Sequence, residues 1–172
     1  MIDGRKAEVR LRAMEPEDLD LLYTMENNAA LWGVSATNVP YSRYTLHNYI
    51  ANTVGDIYTD KQVRLMIDNA DGDTVGIVDL TDFDPRNMRA EVGIVVKREF
   101  RCMGYATAAV ANILSYAKEI LHLRQVYVFI DEENEQSLNF FLSSGFQRSA
   151  ILRDWLYWGD KYRNAVLMQY FL

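Results

Sequence analysis

Arg101-Cys102-Met103-Gly104-Tyr105-Ala106 separates a strand-like run, residues 92–96, from a helix-like run, residues 107–121. That succession constrains the fold, because a strand must deliver the chain into a tight turn from which a helix leaves at once. A glycine in such a turn lets backbone amides crowd around an anion, and the helix N-terminus adds partial positive charge. The stretch therefore implies an α/β arrangement with a place for a phosphate. It is not the G-x-x-x-x-G-K-S/T of a P-loop, and no G-x-G-x-x-G occurs, so the usual nucleotide motifs are excluded. Taken alone, the six residues fit a βα turn that binds nothing equally well.

The hydrophobic period around this unit switches repeatedly between two and 3.6. Residues 9–13 alternate apolar with charged side chains, as a half-buried strand does. Glu15-Pro16-Glu17-Asp18 opens a helix whose stripe of Leu19, Leu22, Tyr23 and Met25 ends at Asn27-Asn28, and a second helix spans residues 42–54. Residues 62–68 and 74–80 form a hairpin, and after the turn signal Asp84-Pro85-Arg86-Asn87 residues 89–96 make another strand. A helix over 105–121, a strand over 125–130, a helix over 135–144 and strands over 147–158 and 162–171 complete the chain, the last two joined at Trp158-Gly159-Asp160-Lys161. The order βααβββαβαββ is a mixed α/β (α+β) pattern rather than a regular doubly wound repeat.

The chain has no internal repeat or Pro/Gly/Ser linker and 172 residues, enough for one core burying roughly two-thirds of the unfolded surface, so a single domain with a core at about residues 8–171 is expected. One cysteine and two separated histidines, His47 and His122, exclude an internal disulfide and a His/Cys metal cluster, so no metal is expected. The net charge of −6 opposes nucleic acid and suits a cationic partner such as an amine or polyamine, or simply an acidic, soluble surface. No apolar run is long enough to span a bilayer and the first residues lack a signal-peptide core, which makes a cytoplasmic protein without a membrane partner the expectation.

The loop fits the Q/R-x-x-G-x-G/A pattern of the GNAT-superfamily acyltransferases, and two further segments stand in that family's order and spacing. One is the strand Glu91-Val92-Gly93-Ile94-Val95-Val96; the other is residues 134–146, which resemble the family's N-x6-Y-x3-G-F segment. The resemblance runs from Val9 to Phe171. Val9-Arg10-Leu11-Arg12, Met25-Glu26-Asn27-Asn28, Ala90-Glu91, Asp131-Glu132-Glu133-Asn134-Glu135 and Tyr162-Arg163-Asn164-Ala165 look most like the spermidine and ribosomal-protein N-terminal acetyltransferases. It implies a central, mostly antiparallel, twisted sheet of about seven strands flanked by about four helices, and acetyl-CoA as acyl donor.

By that resemblance the backbone of Ile94, Val95 and Val96 holds the pantetheine arm like an added strand, and Arg101, Cys102, Met103, Gly104, Tyr105, Ala106 and Thr107 cradle the pyrophosphate. Asn134 bonds the cofactor, or merely caps the following helix. Cys102 reads as a small packing residue rather than a nucleophile. Glu91 is the candidate base, or else a strand-end acid paired with Arg89 or Arg86. Glu26, Trp32 and Asp79 are candidates for binding the acceptor, a small amine or peptide.

One position departs from the pattern. The family's general acid is a tyrosine seven residues after the asparagine, and here that residue is Phe141, which keeps a ring beside the cofactor but carries no proton. Unassisted departure of the CoA thiolate, a substitute donor such as Tyr157 or Ser137, and a weak catalyst all stay open, as does a non-catalytic acyl-CoA-binding module. The apolar end, residues 166–172, suits either the finishing of the core or the pairing of sheets in a homodimer or higher homo-oligomer.

Overall fold

The computed structural model describes residues 7–28 and 39–172. The strands are β1 (Val9–Arg12), β2 (Val63–Asn69), β3 (Thr74–Asp84), β4 (Arg89–Val96), β5 (Gln125–Asp131), β6 (Gln147–Trp158) and β7 (Lys161–Phe171), and the helices are α1 (Leu19–Glu26), α2 (Arg43–Asn52), α3 (Ile57–Asp60), α4 (Tyr105–Glu119) and α5 (Glu135–Ser143). All seven strands join one sheet in the order β1-β2-β3-β4-β5-β7-β6. Each neighbouring pair is antiparallel except β4 and β5, which run parallel.

Five helices among the described residues exceed the four expected. The addition is α3, whose four residues are too few to show a period; Asp56 caps it by accepting from the amides of Tyr58 and Thr59. β3 also runs past Leu80 to Asp84, carried through a bulge at which Asp82 has φ 49°. Ser42 caps α2 by accepting from the Thr45 amide.

The alternation within strands assigns the two faces. Val126, Val128 and Ile130 of β5 point into a core with Ala109, Val110 and Ile113 of α4, Leu138 and Phe141 of α5, and Phe146. On the other face Met66 and Ile77 meet Leu22 of α1 and Leu46 of α2. β7 lies inside the sheet between β5 and β6, so residues 166–171 finish the core with Val166 and Met168 buried, while β6 is the outer strand at that end and β1 at the other.

Candidate functional site

The parallel pair β4/β5 holds for three rungs only, Arg89 with Gln125, Ala90 with Val126 and Glu91 with Tyr127. Beyond Glu91, β4 stays paired with β3 through Val96 while β5 follows β7 to Asp131, so the sheet opens into a cleft at this point. Ile94, Val95 and Val96 line the β4 side. Their backbone edge facing β5 has no strand partner, the arrangement in which an extended arm can add as a strand. At Gly76 of β3 a Cβ atom would stand 2.3 Å from the Val95 carbonyl oxygen, so the absence of a side chain there keeps β4 close to β3 at the cleft.

Above the cleft lies the loop. Cys102 and Gly104 both have left-handed backbone, φ 61° and 86°, which turns the chain sharply into α4. The first intrahelical bond runs from the Ala108 amide to the Gly104 carbonyl, so the amides of Tyr105, Ala106 and Thr107 have no partner within the helix. Arg101 does not project freely: its Nε donates to the Val96 carbonyl at 3.0 Å, tying the loop to the end of β4. Cys102 and Met103 are exposed, so Cys102 is not the packing residue expected; the left-handed turn carries its side chain outward.

Asn134 caps α5, its Oδ1 accepting from the Ser137 amide at 3.1 Å, and among the described residues its Nδ2 makes no bond. Phe141 is 5% exposed and packs edge-on against Phe140 and Phe146 at ring separations of 5.0 Å. The ring thus belongs to the core beneath α5, not to an open wall of the cleft. Tyr157 sits near the tip of the β6–β7 hairpin, largely exposed, and its hydroxyl donates to the Gly159 carbonyl at 2.6 Å.

Glu91 occupies the last rung before the split. Burial pushes its carboxyl above the usual range, the charge of Asp82 adds to this, and the Phe129 amide pulls the other way. Neither arginine named as its partner pairs with it: Arg89 bonds Asp84 at 3.3 Å. Tyr127, opposite Glu91, is raised too, first by burial and then by Glu91. With Phe129 it lines a cavity of about 210 Å³ on the face away from α4 and α5, together with Gln125, Leu167 and Gln169. Phe129 meets Tyr127 at 5.5 Å and Trp155 of β6 at 5.8 Å, forming an aromatic wall beside the cleft. A larger groove of about 420 Å³ runs along α4 from Thr107 toward Tyr170 and Leu172.

Glu26 and Asp79 do come together, but around an internal cation. Arg64 of β2 gives Nη1 to Glu26 at 2.6 Å and holds Asp79 through two bonds of 2.9 Å, with the Tyr49 ring 5.7 Å from the guanidinium carbon. Burial raises the Asp79 carboxyl although Arg64 opposes it. An amine would have to compete with Arg64 for either acid. Trp32 lies outside the described residues.

Sequence reasoning missed Arg64, Tyr127, Phe129 and Trp155. A signal existed for two of them, since Tyr127 and Phe129 alternate with the buried Val126, Val128 and Ile130 and so had to face the other side of β5.

A family model described as an acetyltransferase (GNAT) domain matches residues 8–147. The chain belongs to this family. It is a GNAT N-acetyltransferase, similar to the spermidine N(1)-acetyltransferase of Escherichia coli K12, with 28% identity over 164 residues covering 93% of this chain and 84% of the relative. The putative ribosomal N-acetyltransferase YdaF of Bacillus subtilis 168 is 28% identical over 165 residues, covering 92% and 88%. Among solved structures, the Vibrio cholerae spermidine N-acetyltransferase in complex with CoA and spermine superposes on this GNAT chain with TM-score 0.84 at 22% identity over 95% of each chain. A dodecameric structure of that enzyme gives 0.80 at 23% identity over 95% and 93%. At these identities the structures establish the fold.

Proposed function

We propose that this GNAT domain works in the cytoplasm and moves an acetyl group from acetyl-CoA to a primary amine, a polyamine or a protein N-terminus, by direct attack of the amine on the thioester. The observation that carries the reading is the β4/β5 cleft, followed at the end of β4 by a left-handed loop that leaves three helix amides without a partner in the helix. Pantetheine lies along Ile94 to Val96, and the pyrophosphate meets the amides from Cys102 to Thr107 beside Arg101.

The acceptor amine is protonated at neutral pH and must lose a proton before it attacks. Glu91 takes that proton, directly or through water, because burial has moved its carboxyl toward the working range of a base. Phe141 has no proton to give, which leaves unassisted departure, the Ser137 hydroxyl in the first turn of α5, or Tyr157 once its exposed hydroxyl exchanges the Gly159 carbonyl for the thiolate. A thiolate is a fair leaving group, since free thiols titrate near about 8.5. The spermidine acetyltransferases among the relatives and the charge of −6 favour a polyamine. The dodecameric relative supports assembly into a homo-oligomer.

Purified protein is assayed for thiol release from acetyl-CoA with spermidine, spermine and N-terminal peptides, beside calorimetry with CoA, ATP and NAD. Selective CoA binding with amine-dependent release is the expected result. CoA binding without release for any amine would leave a non-catalytic binding module, and absence of CoA binding would end the reading.

A further inference from the structure

Two sequence segments without a role in the proposed chemistry, residues 131–133 and 162–165, lock onto each other in the fold. Arg163 bonds Asp131 at 2.9 Å through Nη1 and Glu133 at 3.0 Å through Nη2, and its guanidinium carbon lies 4.6 Å from the centre of the Trp158 ring. Asn164 is used at three atoms. Its Nδ2 donates to Glu132 at 2.9 Å, its carbonyl accepts from the Glu132 amide at 3.1 Å, and its Oδ1 accepts from the Asp154 amide at 3.0 Å.

Those bonds reach two different walls. The loop they fasten ends at Asn134, whose own amide bonds the Asp131 carbonyl at 2.9 Å and whose side chain starts α5. Asp154 is the left-handed residue, φ 50°, of the bulge where β6 loses register between Leu152 and Leu156. The next residue, Trp155, is the one that meets Phe129, the first outward-facing side chain of β5 past the split. Ordinary strand pairing needs no side chain at position 164. Here one amide group ties the loop that starts α5 to the bulge that carries the aromatic wall.

We infer that Arg163 and Asn164 are positioning residues for the proposed transfer, Arg163 setting the start of α5 at Asn134, the residue that bonds acetyl-CoA by the family resemblance, and Asn164 setting that start and the aromatic wall beside the cleft together. The inference rests on the acetyl-CoA reading above. It separates substitutions that look alike. Asn164→Asp keeps an oxygen for the Asp154 amide but sets a carboxylate against Glu132, so it disturbs only the donor side. Asn164→Ala loses both ties, and Arg163→Met loses the loop.

The test measures CoA affinity by calorimetry, amine KM by thiol release and melting temperature for wild type, Asn164→Asp, Asn164→Ala, Arg163→Met and Arg163→Lys. Asn164→Asp and Arg163→Met are expected to weaken CoA binding about tenfold, the size of one lost charge-assisted hydrogen bond, with amine KM within about twofold of wild type. Asn164→Ala raises both constants, and Arg163→Lys recovers part of the CoA affinity. A merely structural role would lower the melting temperature and the folded fraction while leaving both constants alone, and that result overturns the inference. So does an equal effect of Asn164→Asp and Asn164→Ala on the amine KM. A wild type that binds no CoA removes the acetyl-CoA reading and this inference with it, whereas wild-type binding unchanged in every variant removes the inference only.

Discussion

Two residues set the proposed chemistry, and each makes a measurable demand. Phe141 fills a ring cluster with Phe140 and Phe146 at 5% exposure, so a hydroxyl added there enters the core without a partner. Phe141→Tyr is therefore expected to lower stability by about 1–3 kcal/mol, read by urea unfolding, and to change kcat less than tenfold instead of restoring an acid. Glu91 makes the opposite trade. Its carboxyl is raised by burial and by Asp82, so the ionised form is disfavoured in the fold and the group favours stability below its unfolded pKa, losing that contribution as pH rises through the folded value. Glu91→Gln should thus unfold at higher urea than wild type at pH 8, with the gap closing by about pH 4, near the ordinary glutamate value. The same change should cut kcat/KM roughly 100-fold to 10,000-fold and remove the rise of rate with pH that a deprotonating base produces. A variant as active as wild type would remove Glu91 from the mechanism.

Elements with a strong local period were legible in the sequence; ties between elements were not. The alternation of residues 125–131, the long helix α4 and the turn at 158–161 are each specified by neighbours in sequence, and the structure has them with small changes at the ends. The free backbone edge at Ile94 to Val96 followed from family resemblance alone, because nothing in a strand's own period says where its partner leaves it. Least legible was the Arg64 cluster, which joins α1, β2 and β3 through residues far apart in the chain. Two acids suggested an acceptor site, and the fold had already supplied their cation. Removing it is costly: Arg64→Met leaves Asp79 without its guanidinium, at an expected loss of about 3–5 kcal/mol at pH 8. Burial and Glu26 both push Asp79 upward once Arg64 no longer opposes them. Protonation then relieves the variant as pH falls, so urea unfolding at pH 5 should show a smaller deficit than at pH 8. An equal deficit at both would mean that the cost is lost packing, not unpaired charge.

Across the whole molecule, cover is uneven. One end of the sheet, β2 and β3, has apolar side chains buried on both faces, those on one face under α1 and α2. At the other end the twelve-residue outer strand β6 is exposed along nearly all its length, and Ile151, Trp155, Tyr157, Trp158, Tyr162 and Phe171 are exposed apolar or aromatic groups on β6 and β7. A long exposed edge with such side chains is an invitation to pairing, and none of the described residues covers it. A second copy of the chain is the occupant proposed, because the exposed strand edge and its apolar side chains repeat on every copy. Light scattering after gel filtration should then give a multiple of 19.9 kDa at micromolar concentration, and Ile151→Asp should shift it toward a single chain. Charge adds a second readout. Each copy carries −6, so copies repel at long range and raising salt from about 20 to about 300 mM should tighten the assembly by screening that repulsion. A particle of 19.9 kDa at every concentration and salt would show that the bare end of the sheet faces water, and the assembly would have to be given up.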